Sequence, residues 1–545
     1  MPWPKAFVER YRARGYWGDR PLGVVLADAV AHHHDRLALV FKEQRVSHGE
    51  MGRRIERLAR SLLDLNIKPL DRVLLQLPNW PAFIYLYFAL VRVGAIPVMA
   101  LLPHRQREIR HFLELTEAVG YAVPGTFGRF HYPAMAEEMR REVPTLRHVF
   151  VAGGPHSEGC IALDAIPELV HTQADLEARS ASLDPMEPVV FQLSGGTTGL
   201  PKIIPRTHND YAYNSLGFAM IHRMDAESVL LVVLPIAHNF ALASPGIQGC
   251  LFNGGRVVLS ESPRADAAFP LIERERITHL ELVPALLIQW LHDPTLQDYD
   301  VSSVRVINTG GQKLQPEVKR LAQRRFTGAV VQEVFGMAEG LLCSPRLDDP
   351  EEVLIETVGR PMSPDDEVRL VDENERDVPE GEIGELICRG PYTLRGYYKA
   401  PEYNTQAFTA EGYYKSGDLM RRHPSGNLIV EGRKKDLINR GGEKISAEEV
   451  ENLILTHAAV KNVACVAFPD PVLGERMCAC VVLKSDTGLR LDELCAFLLE
   501  QGIAKFKLPE RLEHFDELPL VPGFNKVSKR ALRDLLAQRL QIEAR

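Results

Sequence analysis

The chain has 545 residues, more than one core can hold, and its 45% hydrophobic and 25% charged residues are those of an ordinary globular protein. A formal net charge of −8 argues against general nucleic-acid binding and against attachment to a membrane surface. The eight cysteines are scattered, without zinc-ligand spacing, and read as reduced core residues of a cytoplasmic protein.

In chain order, "MPWPKAFVERYRARGYW" is basic but leads into no apolar segment, so no signal peptide is expected. The "HHH" at 32–34 reads as a solvated helix end. "SHGEMGRRIERLARSLL" places Glu50 three residues after Ser47, the spacing of a capping box. Met51, Ile55, Leu58 and Leu62 then share one helical face. "DRVLLQLPN" (71–79) has the pattern of a buried strand, and "AFIYLYFALV" (82–91) that of a buried helix, since it covers only about half a membrane span before Arg92. "VVFQLSGGTTG", "SVLLVVLP", "GGRVVLS" and "VRVINTGG" are further β-rich runs. Strands alternating with helices imply parallel α/β layers, with ligand loops beyond the carboxyl ends of the strands.

The texture changes after about residue 380: "GEIGELICRGPYTLRGYY" has the glycine punctuation of an antiparallel sheet or small barrel. The charged, glycine-rich "GRKKDLINRGGEKIS" (432–446) marks a boundary. A helix and two strands follow, and Cys478 and Cys480 alternate in the second, facing one side. The expected fold is therefore α/β. A large N-terminal domain of α/β layers with a small barrel-like part spans 1–433, and a small α+β C-terminal domain spans 434–545.

"QLSGGTTGLPK" (192–202) is a small-residue loop rich in hydroxyls and backbone N–H groups, suited to an anion. It lacks the grammar of a Walker A loop, because Leu200 and Pro201 separate Gly199 from Lys202 and no hydroxyl residue follows the lysine. By itself the loop is equally a plain turn. With "FGMAE" (335–339), "SGD" (416–418), "GRKKDLINRGGEKIS" and "NKVSKRAL" (525–532) in order after it, the chain resembles the adenylate-forming superfamily.

That resemblance implies ATP and Mg²⁺. Ser194, Gly195, Gly196, Thr197, Thr198, Gly199 and Lys202 would hold the phosphate tail. Gly310, Gly311 and Val334 would border adenine, and Asp418 with Arg433 the ribose. Glu339 corresponds to the Mg²⁺-binding glutamate, and hard Mg²⁺ takes carboxylate and phosphate oxygens. Lys526 corresponds to the catalytic lysine of a mobile C-terminal domain, although Asn525 stands where the family has glycine. Lys435 would be the pivot of that domain, and Lys444 would assist a second, thioester-forming step.

"PIAHNFALASPG" (235–246) resembles the stand-alone aryl acid–AMP ligases of siderophore biosynthesis, those for 2,3-dihydroxybenzoate in particular. The likeness implies that His238 gates an aryl pocket and Asn239 bonds the acid's carboxylate or ortho-hydroxyl, with Phe240, Ser244, Gln312, Ala338 and Leu342 around the ring. Ser244 favours 2,3-dihydroxybenzoate, whereas the bulk of Leu342 favours salicylate, and Gln312 stands where a small residue is usual. The implied thiol acceptor is the phosphopantetheine arm of an aryl carrier protein. Seven basic residues against four acidic ones between 505 and 533 suit an acidic partner, and equally a plain solvated surface. An acyl-CoA synthetase of the same fold, or a nucleotide-binding scaffold without catalysis, are the rival readings.

Overall fold

Helix His48–Asp64 starts where the Ser47 side chain accepts the N–H of Glu50 at 3.1 Å. Only half of the expected capping box forms. The Glu50 carboxylate is held instead by Arg53 and Arg54, each 2.7 Å away, because charge-assisted bonds to guanidinium outcompete one to a neutral backbone N–H. Met51, Ile55, Leu58 and Leu62 are all buried, as their spacing requires. The apolar run at 82–91 lies within helix Pro81–Val93, which is buried nearly all round and packs against His48–Asp64 and Leu22–His32. Gly94, with φ of 82°, ends it in the left-handed conformation that glycine adopts without penalty.

The computed structural model describes residues 3–155, 158–165, 169–194, 201–440, 443–470, 472–484, 488–521 and 526–543. Two large, mainly parallel sheets organise the body. One runs from Ile161–Ala162 through His148–Ala152, Gly120–Pro124, Arg72–Leu75, Ile96–Met99 and Pro188–Leu193, and ends on the antiparallel Ile203–Thr207. The second has nine strands, among them Val229–Val232, His279–Leu282, Val306–Gly310 and Val330–Met337 side by side in parallel. One continuous apolar cluster joins the helices between them.

The glycine-punctuated region forms a four-stranded antiparallel sheet of Glu367–Val371, Gly384–Arg389, Tyr414–Arg422 and Leu428–Arg433. Beyond Arg433 a separate five-stranded sheet, with helices Ala447–Leu455, Leu491–Glu500 and Lys529–Glu543, carries its own core. Cys478 and Cys480 face the same side of strand Gly474–Leu483, their sulfurs 4.0 Å apart. The α/β body, its antiparallel appendage and the small α+β unit are those expected from the sequence. Among the described residues, no helix is long and apolar enough to cross a membrane.

Candidate active site

Parallel strands aim their carboxyl ends one way, and the singled-out residues follow from several of those ends. At the end of Pro188–Leu193 the chain makes a hairpin rather than entering a helix. Ser194 N donates to Lys202 O, and Lys202 N donates to Ser194 Oγ, both at 2.9 Å. These bonds close the neck of the glycine loop. Gly195, Gly196, Thr197, Thr198 and Gly199 lie outside the described residues. The Lys202 ammonium sits 3.8 Å from the ring centroid of Tyr403 and 5.9 Å from that of Tyr397, a cation–π arrangement.

Tyr397 carries that wall to Glu339, donating its hydroxyl to Glu339 Oε1 at 2.8 Å and meeting the Tyr414 hydroxyl at 2.9 Å. Burial pushes the Glu339 carboxyl above its ordinary range, against the Tyr397 hydrogen bond. A half-buried carboxylate anchored through one oxygen is a hard donor suited to Mg²⁺. Tyr397, Tyr403 and Tyr414 were not anticipated from the sequence. The "RGYY" and "EGYY" settings of Tyr397 and Tyr414 are their only local signal, tyrosines after glycine are common, and Tyr403 in "PEYN" carries none.

Asp418 is buried and accepts from Arg433 Nε at 2.8 Å, across a directly paired position of the antiparallel sheet. The carboxylate holds the guanidinium above its ordinary pKa. Gly310 and Val334 are paired across the parallel ladder, and a Cβ on Gly310 would stand 2.7 Å from the Val334 carbonyl oxygen. Only glycine permits that approach. Gly311, Gln312, Val334, Asp418 and Arg433 line a cavity of about 200 Å³ together with Glu448 of the C-terminal unit. Burial pushes the Glu448 carboxyl up to about 7.

The "AHN" stretch leaves the second sheet after Val229–Val232. His238 caps the short helix Asn239–Ala243, its Nδ1 accepting the Phe240 N–H at 3.2 Å. Asn239 and Ser244 are both buried, and Asn239 Nδ2 donates to Ser244 Oγ at 3.1 Å. Phe240 packs against an apolar cluster that contains Val334, Leu342, Met362 and Tyr392. Of the residues expected around a ring, Asn239 and Ser244 thus form a polar pair, with Phe240 and Leu342 in an apolar wall beside it. Gln312 is half-buried on the cavity shared with Gly311. The Ala338 carbonyl accepts from Arg206, a fully buried cation 2.8 Å from Asp210. Arg206 also escaped the sequence reading, since an Arg–Asp pair four residues apart most often marks a helix surface.

Lys526 begins a short strand, Lys526–Val527, paired with Leu520–Val521. Lys435 lies in the turn Lys434–Asp436, and Lys444 in strand Glu443–Ser446. The side chains of these three lysines lie outside what the structure describes. The basic surplus counted over 505–533 is largely consumed internally. Lys507 pairs with Glu449 at 2.6 Å, Lys529 with Glu451 at 2.7 Å and Arg533 with Asp436 at 2.9 Å. Arg511 lies 2.5 Å from Glu513. Three of those four acids come from outside the counted window, so linear counting overstated the positive surface.

A glycine hairpin with a lysine at its neck, a carboxylate–guanidinium pair and a glycine-lined cleft between two units are the parts of a nucleotide-using enzyme. The AMP-binding enzyme family matches residues 26–398, and its AMP-binding enzyme C-terminal domain matches residues 449–523; the chain belongs to this family. It is 45% identical over 542 residues to the 2,3-dihydroxybenzoate-AMP ligase of Bacillus subtilis (strain 168), with 99% of this chain and 98% of the relative covered. It is 46% identical over 542 residues to a salicylyl-CoA synthase / salicylate adenylyltransferase of Streptomyces sp., covering 98% and 97%. The solved apo structure of MbtA from Mycobacterium smegmatis is similar with a TM-score of 0.73 at 40% identity, over 98% of both chains.

Proposed function

We propose that this enzyme activates an aryl acid with ATP and transfers the aryl group to a thiol. In the first step a carboxylate oxygen of the acid attacks the α-phosphorus. The bond to the bridging oxygen breaks, and pyrophosphate leaves an aryl-AMP. Two anions must meet, so positive charge has to be held where negative charge accumulates. Lys202 at the loop neck and Lys526 from the C-terminal domain supply it. Ser194 and the glycine loop take the phosphate tail, Asp418 with Arg433 the ribose, and Gly310, Gly311 and Val334 the adenine. Glu339 would hold Mg²⁺, which neutralises phosphate charge when bound.

In the second step a thiol sulfur attacks the acyl carbon and AMP leaves. Rotation of the C-terminal domain, 434–545, about Lys435 withdraws Lys526 and brings Lys444 towards the site. The acceptor is the phosphopantetheine arm of an aryl carrier protein, a reading that rests on the "AHN" likeness to siderophore ligases. The Streptomyces relative's name supports coenzyme A as the second reading. Turnover of a preformed aryl-AMP with each acceptor discriminates the two, and a clear preference for coenzyme A overturns the carrier.

The observation that carries the aryl acid is the buried Asn239–Ser244 pair beside the apolar wall of Phe240, Val334 and Leu342. An acid with a flat apolar body and polar ring substituents fits both. We take 2,3-dihydroxybenzoate as the preferred acid, with salicylate as runner-up. A site built to hydrogen-bond a ring hydroxyl rejects the acid lacking it more strongly than one methylene of leucine discriminates, because the site's own polar group is left unpaired. The test is a panel of aryl acids in ATP–pyrophosphate exchange, in the wild type and in Ser244→Cys. A wild type that prefers salicylate, or a cysteine variant with an unaltered ratio, removes Ser244 as the reader of the 3-hydroxyl.

A further inference from the structure

Four buried side chains form one directional chain of hydrogen bonds behind the proposed aryl pocket. Gln192 Nε2 donates to the Tyr211 hydroxyl at 3.0 Å, Tyr211 donates to Asn239 Oδ1 at 2.8 Å, and Asn239 Nδ2 donates to Ser244 Oγ at 3.1 Å. All four residues are buried. Gln192 stands on strand Pro188–Leu193, two residues before the neck of the glycine loop, and Tyr211 on helix His208–Ile221. Arg206 lies 4.9 Å from the Tyr211 ring centroid.

The direction follows from proton counting. A phenol has a single proton, and here Tyr211 spends it on Asn239 while accepting from the Gln192 amide. Burial holds the Tyr211 hydroxyl well above its ordinary pKa, so it keeps that proton. Asn239 must then turn its carbonyl oxygen to Tyr211 and its NH₂ to Ser244. Ser244 Oγ is an acceptor towards Asn239, and its only proton is left to point elsewhere. The polar end of the pocket therefore offers donors: the second Asn239 N–H and the Ser244 O–H.

We propose that Tyr211, oriented by Gln192, is a positioning residue that sets this donor polarity, so that the enzyme selects aryl acids whose ring substituents accept hydrogen bonds. The inference rests on the aryl-acid reading above and deepens it. An ortho-hydroxyl gives its proton to its own carboxylate and presents a bare oxygen to the pocket. An ortho-amino group keeps a second N–H, which would face donors and go unpaired. Salicylate and anthranilate differ at that atom alone.

The experiment compares kcat/KM for salicylate and anthranilate by pyrophosphate exchange in the wild type, Tyr211→Phe and Gln192→Leu. Phenylalanine keeps the ring packing and removes the hydroxyl that orients Asn239. The wild type is expected to favour salicylate, the ratio to fall at least tenfold in Tyr211→Phe and less in Gln192→Leu, and KM for ATP to stay constant in both. Calorimetric affinities for the two acids should shift in parallel. Unchanged ratios in variants with wild-type melting temperatures overturn the proposal. If Tyr211→Phe does not fold, an unchanged ratio in Gln192→Leu overturns it alone. A wild type without aryl-dependent exchange removes the proposed function instead, and the calorimetric ratio then decides the polarity separately.

Discussion

Arg433 Nε and Asp418 Oδ1 stand 2.8 Å apart at a directly paired position of two antiparallel strands, and the aspartate is buried. The ladder fixes both backbones, so the carboxylate is oriented before any nucleotide arrives. Arg433 is also the last residue of its strand, immediately before the turn Lys434–Asp436 that joins the two units.

We expect Asp418→Asn and Arg433→Ala each to raise KM for ATP about tenfold or more, the size of a lost charge-assisted hydrogen bond. KM for the aryl acid should change by less than about twofold. Steady-state kinetics with each substrate varied in turn checks this. Equal losses for both substrates would remove the ribose assignment.

Lys202 rests on Tyr403, and Tyr397 links that wall to Glu339. Lys202→Ala should weaken ATP use strongly and leave aryl-acid affinity intact. Tyr403→Leu should change KM for ATP only about two- to fivefold, since an exposed cation–π contact contributes about 0.5–1 kcal/mol. An unchanged KM for ATP in Lys202→Ala would show that this lysine does not meet the phosphates.

Arg206 is fully buried against Asp210 and Asn214 and bonds the Ala338 carbonyl. Arg206→Met leaves the Asp210 charge buried without its partner, a loss of about 3–5 kcal/mol. The double variant Arg206→Met/Asp210→Leu should recover part of it. Urea unfolding of the single and double variants gives the comparison, and a single variant as stable as the wild type contradicts it.

Burial pushes the Glu281 carboxyl up to about 8, while the Gly246 N–H bonds it at 2.9 Å. The folded state therefore keeps this proton up to about pH 8, whereas the unfolded chain loses it near the ordinary value of about 4.5. Its contribution to stability is complete below that ordinary value and is lost as pH rises through the folded one. The slope is at most about 1.4 kcal/mol per pH unit. Glu281→Gln keeps an acceptor for Gly246 and removes the titration. Between pH 5 and 8 the wild type should lose stability relative to the variant; a gap independent of pH would falsify the shift.

Lys526 and Lys435 belong to different steps of the proposed cycle. Lys526→Ala should abolish adenylate formation yet still transfer a supplied aryl-AMP to the thiol. Lys435→Pro should do roughly the reverse, because proline removes dihedral freedom at the pivot. If both variants lose the same half-reaction to the same extent, domain rotation is the wrong account.

Much of this protein was legible in its residues because the signals are local. The helix at 48–64, the buried helix at 81–93, the strand leading to Ser194 and the same-side Cys478 and Cys480 follow from short-range periodicity and turn chemistry, which need no knowledge of the rest of the chain. Asp418 and Glu339 were singled out because they stand in ordered motifs, and Gly310 because the resemblance those motifs carry implies an adenine border there. What depended on tertiary structure was pairing. Lys507, Lys529 and Arg533 found acids outside their own stretch, 58, 78 and 97 residues away in the chain. Tyr397 meets Glu339 from 58 residues away, and Gln192, Tyr211 and Asn239 come from three separate elements. An ion pair or hydrogen bond between groups far apart in the chain is decided by distances of a few ångströms, and only the packing of whole elements against one another brings such groups within reach.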